Sequence, residues 1–230
     1  MIAENYNKIQ DRIFQACQRA GRNPQKVKLL PVSKVHPIST LQEAVDAGIV
    51  VFGESKVQEA EQKIKFFGKE IEWHLIGHLQ SNKAKKAVEL FDFIHSVDSF
   101  KLAKELNRHS KNLDKKTNIF LQVNTSLEES KSGVLVDGLV EFAEQVRTLE
   151  FLNVKGLMTI GKFSQDEKVV RNCFVTLRNA LERLNLTNIF TETLTELSMG
   201  MSNDFEIAIE EGATLVRVGT SIFGQRNYTN

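Results

Sequence analysis

The sequence predicts an α/β fold, a single (β/α)8 barrel of the TIM type with an extra N-terminal helix. Short apolar runs alternate eight times with longer amphipathic stretches along the 230 residues. No hairpin signal such as Asn-Gly lies between consecutive runs, so we expect parallel strands with helical crossovers. Eight such units are what a barrel requires, although about 250 residues is typical of that fold.

The first segment has the periodicity of an amphipathic helix. Its apolar residues recur at steps of three and four, and they are Ile2, Tyr6, Ile9, Ile13, Ala16, Cys17 and Ala20. Gly21 and Pro24 follow, and both residue types end helices. We therefore expect one helix before the first strand.

Eight strands and seven further helices are predicted after this segment. The strands are short apolar runs, at residues 27–33, 49–52, 73–76, 93–95, 119–123, 152–157, 194–197 and 214–218. The helices are longer amphipathic stretches, at residues 39–47, 57–67, 82–91, 136–149, 166–186 and 204–211, with one more that begins near residue 99. Each helix follows a strand, which is the order that a parallel barrel needs.

A doubly wound open sheet is the main alternative fold. Such a sheet carries a glycine-rich phosphate-binding turn after its first strand, but this chain has Val32-Ser33-Lys34-Val35 there. No composition shift, Pro/Ser-rich linker or low-complexity tract divides the chain. We therefore predict one barrel domain over residues 1–230.

Composition argues against several classes of function. The 30 Lys+Arg residues balance 29 Asp+Glu residues, so we expect no basic surface for nucleic acid. No apolar run approaches the roughly 18 residues of a membrane span, and residues 1–5 do not resemble a signal peptide. Cys17 and Cys173 have no CxxC or histidine partner nearby, and the five histidines are scattered, so no disulfide or metal site is expected. The chain is predicted to be cytoplasmic.

Lys34 is the first candidate for chemistry, because it follows the first predicted strand. Barrel sites lie at the carboxyl ends of strands. A partly desolvated lysine there has a lowered pKa and can form a Schiff base. A solvated surface lysine is the alternative interpretation.

The last two units have the composition of a phosphate site. Residues 197–204 (LSMGMSND) follow the seventh strand, and residues 217–221 (RVGTS) end the eighth. Small residues before a helix N-terminus expose N–H groups to an anion, and barrel phosphate sites commonly use these two loops. Asn203 and Glu206 resemble a capping box at the next helix. Ordinary turn and capping chemistry would use the same residue types.

A Schiff-base lysine and a phosphate site in one barrel suggest either pyridoxal phosphate (PLP) or a phosphorylated sugar in an aldolase-type reaction. Arg217 favours PLP. Strand alternation turns Arg217 and Gly219 to the same face, and a guanidinium beside the pyridine nitrogen would donate a hydrogen bond and discourage protonation there. A structural ion pair between Arg217 and a nearby acid is the alternative.

Eight blocks of residues follow one another over almost the whole chain. They are residues 30–34 (LPVSK), 52–54 (FGE), 73–77 (WHLIG), 79–83 (LQSNK), 131–133 (KSG), 156–158 (GLM), 197–202 (LSMGMS) and 216–220 (VRVGT). Together these blocks closely resemble the YggS/PROSC family of pyridoxal phosphate homeostasis proteins. The resemblance implies a barrel like the N-terminal domain of alanine racemase, with PLP bound covalently.

The resemblance also implies residue roles. Lys34 would be the Schiff-base lysine, and Arg217 would face the pyridine nitrogen. Ser198, Gly219 and Thr220 would hold the phosphate.

Two positions depart from the family pattern. Ser55 stands where the family usually has Asn, and His78 stands where Pro is frequent. We assign neither side chain to the site.

We expect a PLP carrier or regulator without robust turnover. Racemases on this type of barrel need a second acid or base, usually a tyrosine from an added domain, and this chain has only Tyr6 and Tyr228. The expected partners are PLP and PLP-dependent apoenzymes, with no nucleic acid or membrane, and the expected state is a monomer. An amino-acid racemase or an aldolase that uses Lys34 is the competing hypothesis.

Overall fold

Eight parallel strands form a nearly closed barrel in the computed structural model of the chain, which describes residues 1–128 and 130–225 apart from the side chain of residue 69. Together with the short β6, which stands outside the barrel, the described residues contain nine strands: β1 (Lys28–Pro31), β2 (Val51–Glu54), β3 (Glu72–Leu75), β4 (Phe93–Val97), β5 (Thr117–Asn124), β6 (Val134–Leu135), β7 (Leu152–Met158), β8 (Glu196–Ser198) and β9 (Leu215–Val218). Around the barrel their order is β1-β9-β8-β7-β5-β4-β3-β2, and β6 pairs with the end of β5 alone.

The barrel closes between β1 and β2 just beyond the end of β1. Val32 forms a parallel bridge with Gly53, and the N–H of Ser33 donates to the carbonyl oxygen of Gly53 at 3.0 Å. Lys34 follows directly, so the residue proposed from the sequence lies at the carboxyl edge where the ring closes. The predicted (β/α)8 barrel is confirmed.

Nine helices occur in the described part of the chain. They are α1 (Ile2–Arg19), α2 (Ile38–Asp46), α3 (Val57–Phe67), α4 (Ala84–Leu90), α5 (Phe100–Asn112), α6 (Leu139–Arg147), α7 (Glu167–Leu186), α8 (Phe205–Glu210) and α9 (Thr220–Phe223). The residues of α1 and α7 have the amphipathic patterns that predicted them. None of the helices in residues 1–128 and 130–225 is long and apolar enough to cross a membrane.

Helix α1 completes the outer ring of helices. Helix α9, which follows the last barrel strand, has only four residues, and α1 packs against α2, α8 and α9. The buried stripe of α1 matches the predicted one and consists of Ile2, Ile9, Ile13, Ala16 and Cys17. Asn5 Nδ2 donates to the carbonyl oxygen of Ile222 at 3.1 Å, which ties α1 to α9. The extra N-terminal helix therefore covers the seam between β9 and β1.

The seventh predicted strand begins later than its apolar run indicates. β8 starts at Glu196, because the backbone of Leu194 is already bonded to a side chain. Asn185 Oδ1 accepts from the N–H of Leu194 at 3.0 Å, and Asn185 Nδ2 donates to its carbonyl oxygen at 2.9 Å. β6 and α9 were not predicted, since two and four residues are too short to show a period.

The close approach of β7 and β8 at Gly156 can be tested by substitution. Gly156 pairs with Glu196, and a β-carbon at position 156 would overlap the Glu196 carbonyl oxygen. We expect Gly156→Ala to lower the free energy of unfolding by about 1–3 kcal/mol or more, because two paired backbones must move apart. Gly138→Ala is the control, since a β-carbon there meets no atom within 4 Å. Equal urea midpoints for the two variants would contradict the close approach.

Candidate functional site

Arg217 lies inside the barrel, toward the carboxyl end of β9, and is 4% exposed. Its Nη1 donates to Oγ of Ser198 at 2.6 Å, and its Nη2 donates to the carbonyl oxygen of Thr159 at 2.7 Å. Ser198 ends β8, and Thr159 follows β7. Within the described residues Arg217 has no ion pair with a carboxylate, so the structural alternative raised by the sequence is not observed there.

The guanidinium of Arg217 is a buried cation at neutral pH. Burial lowers the pKa of Arg217 to about 10, and the charge of Asp204 opposes that shift. The group therefore keeps its proton and acts only as a donor. Its remaining N–H groups are available to an acceptor that enters the mouth of the barrel.

A chain of polar side chains continues from Arg217 through the barrel interior. Ser198 Oγ lies 2.9 Å from His95 Nδ1, and His95 Nε2 lies 2.8 Å from His74 Nδ1. His74 Nε2 lies 2.8 Å from Oε1 of Glu72, near the opposite end of the barrel. We call Arg217, Ser198, His95, His74 and Glu72 the interior chain.

The two ends of the interior chain determine its hydrogen-bond direction. Arg217 can only donate, and the Glu72 carboxylate can only accept. Burial, reinforced by the charge of Arg217, holds the pKa of His95 well below its usual range, so His95 is neutral. The arrangement that satisfies every group runs one way: Ser198 donates to His95, His95 donates to His74, and His74 donates to Glu72. The hydrogen bond from His74 lowers the pKa of Glu72.

His74 and His95 were missed by sequence reasoning, which treated the histidines as scattered. His74 stands two residues after Glu72 in β3, and His95 stands two residues after Phe93 in β4, a period of two that turns every second side chain to the barrel interior. His74 stacks on Phe93 with a centroid distance of 4.4 Å, and His95 stacks on Phe120 at 4.3 Å. The period in β3 and β4 was the signal that could have placed them together.

Lys34 lies in the turn after β1 and is half-buried. The backbone of this turn is held by its neighbours. Lys63 Nζ donates to the carbonyl oxygen of Ser33 at 2.9 Å, and Glu59 Oε1 accepts from the N–H of Val35 at 2.5 Å. Val35 has a φ of +69°, a conformation that a β-branched residue rarely adopts. These hydrogen bonds on either side of Lys34 therefore fix the backbone position from which its side chain extends.

The centre of this cluster is a buried ion pair. Lys63 Nζ lies 2.7 Å from Oε1 of both Glu54 and Glu59, and Ser33 Oγ donates to Glu54 Oε1 at 2.6 Å. Burial raises the pKa of Glu54, although Lys63 and Ser33 oppose the shift. We call Ser33, Glu54, Glu59 and Lys63 the turn cluster. The sequence showed no sign of it, because its members come from three separate elements.

Gly219 and Thr220 lie at the start of α9, next to the loop that follows β8. The N–H of Gly219 donates to Oγ of Ser202 at 3.3 Å. Ser202 and Thr220 line a cavity of about 570 Å³ at this end of the barrel. Gly200 in the same loop has a φ of +90°, and a β-carbon there would crowd Ala208. The structure thus brings Gly219, Thr220 and Ser202 together, while Ser198 lies against Arg217.

The predicted capping box of Asn203 and Glu206 is wrong. α8 begins at Phe205, and its N-cap residue Asp204 makes no side-chain capping bond. Asp204 Oδ1 instead accepts from the N–H of Met201 at 2.6 Å. Glu206 forms ion pairs with two arginines of α1, because α1 packs against this helix.

The remaining sequence candidates have simpler surroundings. His78 is largely exposed, with Nδ1 3.5 Å from Oδ2 of Asp98 and 3.4 Å from Oγ of Ser132. Tyr6 lies on α1, where its hydroxyl oxygen accepts from Gln10. Tyr228 lies outside the described residues. Cys17 and Cys173 are buried free thiols.

Metal ligands do not cluster in the part of the chain that the structure describes. No group of three or more His, Cys, Asp or Glu side chains there could hold a metal ion.

A parallel barrel with a half-buried lysine after its first strand and a buried arginine in its last strand defines a class of α/β barrel related to alanine racemase. The chain belongs to the family of the alanine racemase N-terminal domain, whose model matches residues 4–227.

Individual relatives extend this result. The pyridoxal phosphate homeostasis protein of Haemophilus influenzae is 40% identical over 99% of this chain and 97% of its own length. PipY of Synechococcus elongatus, solved with PLP bound, has a TM-score of 0.85 and 37% identity over 97% of this chain and 100% of that chain. An alanine racemase of Clostridium difficile shares the fold, with a TM-score of 0.73 and 12% identity over 96% of this chain and 57% of that chain.

The buried, neutral state of His95 predicts a pH dependence of stability. The folded-state pKa of His95 lies below its unfolded value, so the unfolded chain binds an extra proton below about pH 6.5 and stability falls there by up to about 1.4 kcal/mol per pH unit. Above that pH the penalty is absent. Urea unfolding between about pH 5 and 8 should give a shallower slope for His95→Gln than for wild type. His78→Gln is the exposed control, and identical slopes in all three proteins would refute the assignment.

The turn cluster predicts a large cost for removing its cation. Lys63→Met leaves Glu54 buried without a positive partner, and we expect a loss of about 3–5 kcal/mol in the free energy of unfolding. The double variant Glu54→Gln/Lys63→Met should recover part of the loss, because no buried charge remains. Lys65→Met removes an exposed ion pair with Glu61 and should cost less than about 1 kcal/mol. Equal losses for Lys63→Met and Lys65→Met would be inconsistent with a buried pair.

Proposed function

We propose that the chain binds pyridoxal 5'-phosphate and acts in intracellular PLP homeostasis, holding the cofactor as a Schiff base on Lys34 without robust catalysis of its own. The observation that carries this proposal is the buried Arg217 guanidinium, which has no carboxylate partner in the described residues and keeps N–H donors available. The homeostasis protein of Haemophilus influenzae and PLP-bound PipY support it.

The residues of this chain fit such a cofactor. Gly219 packs closely on the end of β1, since a β-carbon there would lie 3.0 Å from the carbonyl oxygen of Val32, so the start of α9 lies beside the turn that carries Lys34. We propose that Gly219, Thr220 and Ser198 hold the phosphate. Arg217 would donate a hydrogen bond to the pyridine nitrogen. We also propose that a single domain over residues 1–230 supplies all of these groups.

The charge of Arg217 argues for holding the cofactor rather than driving chemistry with it. PLP supplies an electron sink when its pyridine nitrogen is protonated. A guanidinium whose pKa is about 10 keeps its own proton at neutral pH and donates only a hydrogen bond. Arg217 would therefore hold the cofactor through a hydrogen bond and leave its pyridine nitrogen unprotonated.

A racemase needs a second acid or base on the other face of the substrate. Among the described residues the one tyrosine, Tyr6, has its hydroxyl bonded to Gln10 on α1. This arrangement supports a carrier over a racemase. We further propose a cytoplasmic monomer whose partners are PLP-dependent apoenzymes that receive the cofactor.

Cofactor attachment can be tested on the purified protein. Wild type should be yellow and, after borohydride reduction, should carry pyridoxyl phosphate on Lys34 in a peptide map. Lys34→Ala should lose the visible absorbance and the label. Lys56→Ala, in an exposed residue after β2, should keep both. A colourless wild-type protein that takes up no PLP would refute the proposal.

Turnover distinguishes a carrier from an enzyme. The PLP-loaded protein should not racemise L-alanine at rates usual for racemases, a median kcat of about 10 per second being typical of enzymes. Circular dichroism of the amino acid measures this directly. Racemisation at ordinary rates, abolished in Lys34→Ala, would establish the racemase-like alternative.

A further inference from the structure

A second cavity lies at the amino-terminal end of the barrel, opposite the candidate cofactor site. Its volume is about 470 Å³, within the usual size range of small-molecule pockets. Four charged residues from four strands line it: Lys28, Glu72, Lys155 and Glu196. Only Glu72 belongs to the interior chain, and nothing in the proposed function uses the other three.

The charged groups of this cavity include hydrogen-bond donors and acceptors that the described residues do not use. The ammonium groups of Lys28 and Lys155 make no hydrogen bond or ion pair with any described residue. Glu72 uses Oε1 for His74, and Glu196 uses Oε2 to accept from Thr214. One oxygen of each carboxylate therefore remains for a ligand, beside two cations that form no direct ion pair. The charge of Lys28 acts on Glu72 only from a distance.

The wall between the charges is apolar. Leu30, Phe93, Phe120 and Leu215 line the cavity. The Phe93 ring is held nearly parallel to the His74 ring, with an interplanar angle of 13°. A flat, fixed aromatic surface of this kind suits an apolar group of the ligand.

We propose that this cavity binds a free α-amino acid with an apolar side chain. Lys28 and Lys155 bind the carboxylate, Glu72 and Glu196 bind the ammonium group, and the apolar wall receives the side chain. A simple anion would face two carboxylates and a simple cation would face two ammonium groups. A zwitterion satisfies both pairs, so charge complementarity favours it.

The amino acid site is coupled to the cofactor site, a step that rests on the proposed function. Glu72 both lines the cavity and ends the interior chain. A ligand ammonium group on the second oxygen of Glu72 draws negative charge away from the oxygen that accepts from the Nε2–H of His74. Since hydrogen bonds in a chain polarise one another, occupancy of the cavity changes the environment of Arg217.

Binding is tested first on cofactor-free protein, by isothermal titration with L-phenylalanine. We expect 3-phenylpropionate, which lacks the ammonium group, and 2-phenylethylamine, which lacks the carboxylate, each to bind at least roughly tenfold more weakly. Lys155→Ala and Glu196→Gln should weaken L-phenylalanine binding by a similar factor. Lys111→Ala, an exposed lysine in the last turn of α5, should leave it unchanged.

Two results would overturn the site. One is the absence of L-phenylalanine binding at millimolar concentration, and the other is binding that neither Lys155→Ala nor Glu196→Gln weakens. Because these titrations use cofactor-free protein, they stand whether or not Lys34 takes up PLP. Failure of the proposed function is thus distinguishable from failure of the site.

Coupling is tested on borohydride-reduced protein, in which the cofactor is fixed to Lys34 and cannot react with the added amino acid. Saturating L-phenylalanine should change the fluorescence of the pyridoxyl group in wild type. In His95→Gln the fluorescence change should be lost while L-phenylalanine still binds. Unchanged fluorescence in saturated wild type would refute the coupling and leave the site itself standing.

Discussion

The burial of the Arg217 guanidinium is the constraint on which the barrel interior depends. A cation removed from water must place its N–H donors on acceptors, and here it does so on the ends of two neighbouring strands. One acceptor, Ser198, donates in turn to His95, and His95 donates to His74. The barrel is usually filled by layers of branched apolar residues, but this one carries a polar line from Arg217 to Glu72.

The turn cluster lies at the same end of the barrel and fixes the backbone of the turn after β1. A reactive lysine must have a fixed backbone and a side chain that remains accessible. Lys63 and Glu59 hold the backbone on either side of Lys34, and the ion pair with Glu54 keeps Lys63 in place. Buried charge here stabilises a single position of the loop, and the covalent attachment proposed for Lys34 needs such a fixed geometry.

The fold was predictable because it follows from local periods. Alternation of short apolar runs with amphipathic stretches identified the barrel, and the rule that sites lie at strand ends singled out Lys34 and Arg217. The interior chain and the turn cluster were not predictable in this way. His95 meets Ser198 across the barrel, 103 residues away in sequence, and such contacts depend on strand order and register. Leu194 shows the same limit, since a side chain of α7 removed it from its strand.

The position of α1 has a consequence for how the protein is made. Its residues are synthesised before every strand of the barrel, yet the strand that they cover, β9, is synthesised roughly 200 residues later. Because Arg217 lies in that strand and Lys34 in the turn after β1, the two groups meet only once nearly the whole barrel has emerged. Long-range closure of this kind is slow compared with the formation of local helices. The proposed cofactor site, which needs both groups, is therefore complete only after β9 has been synthesised.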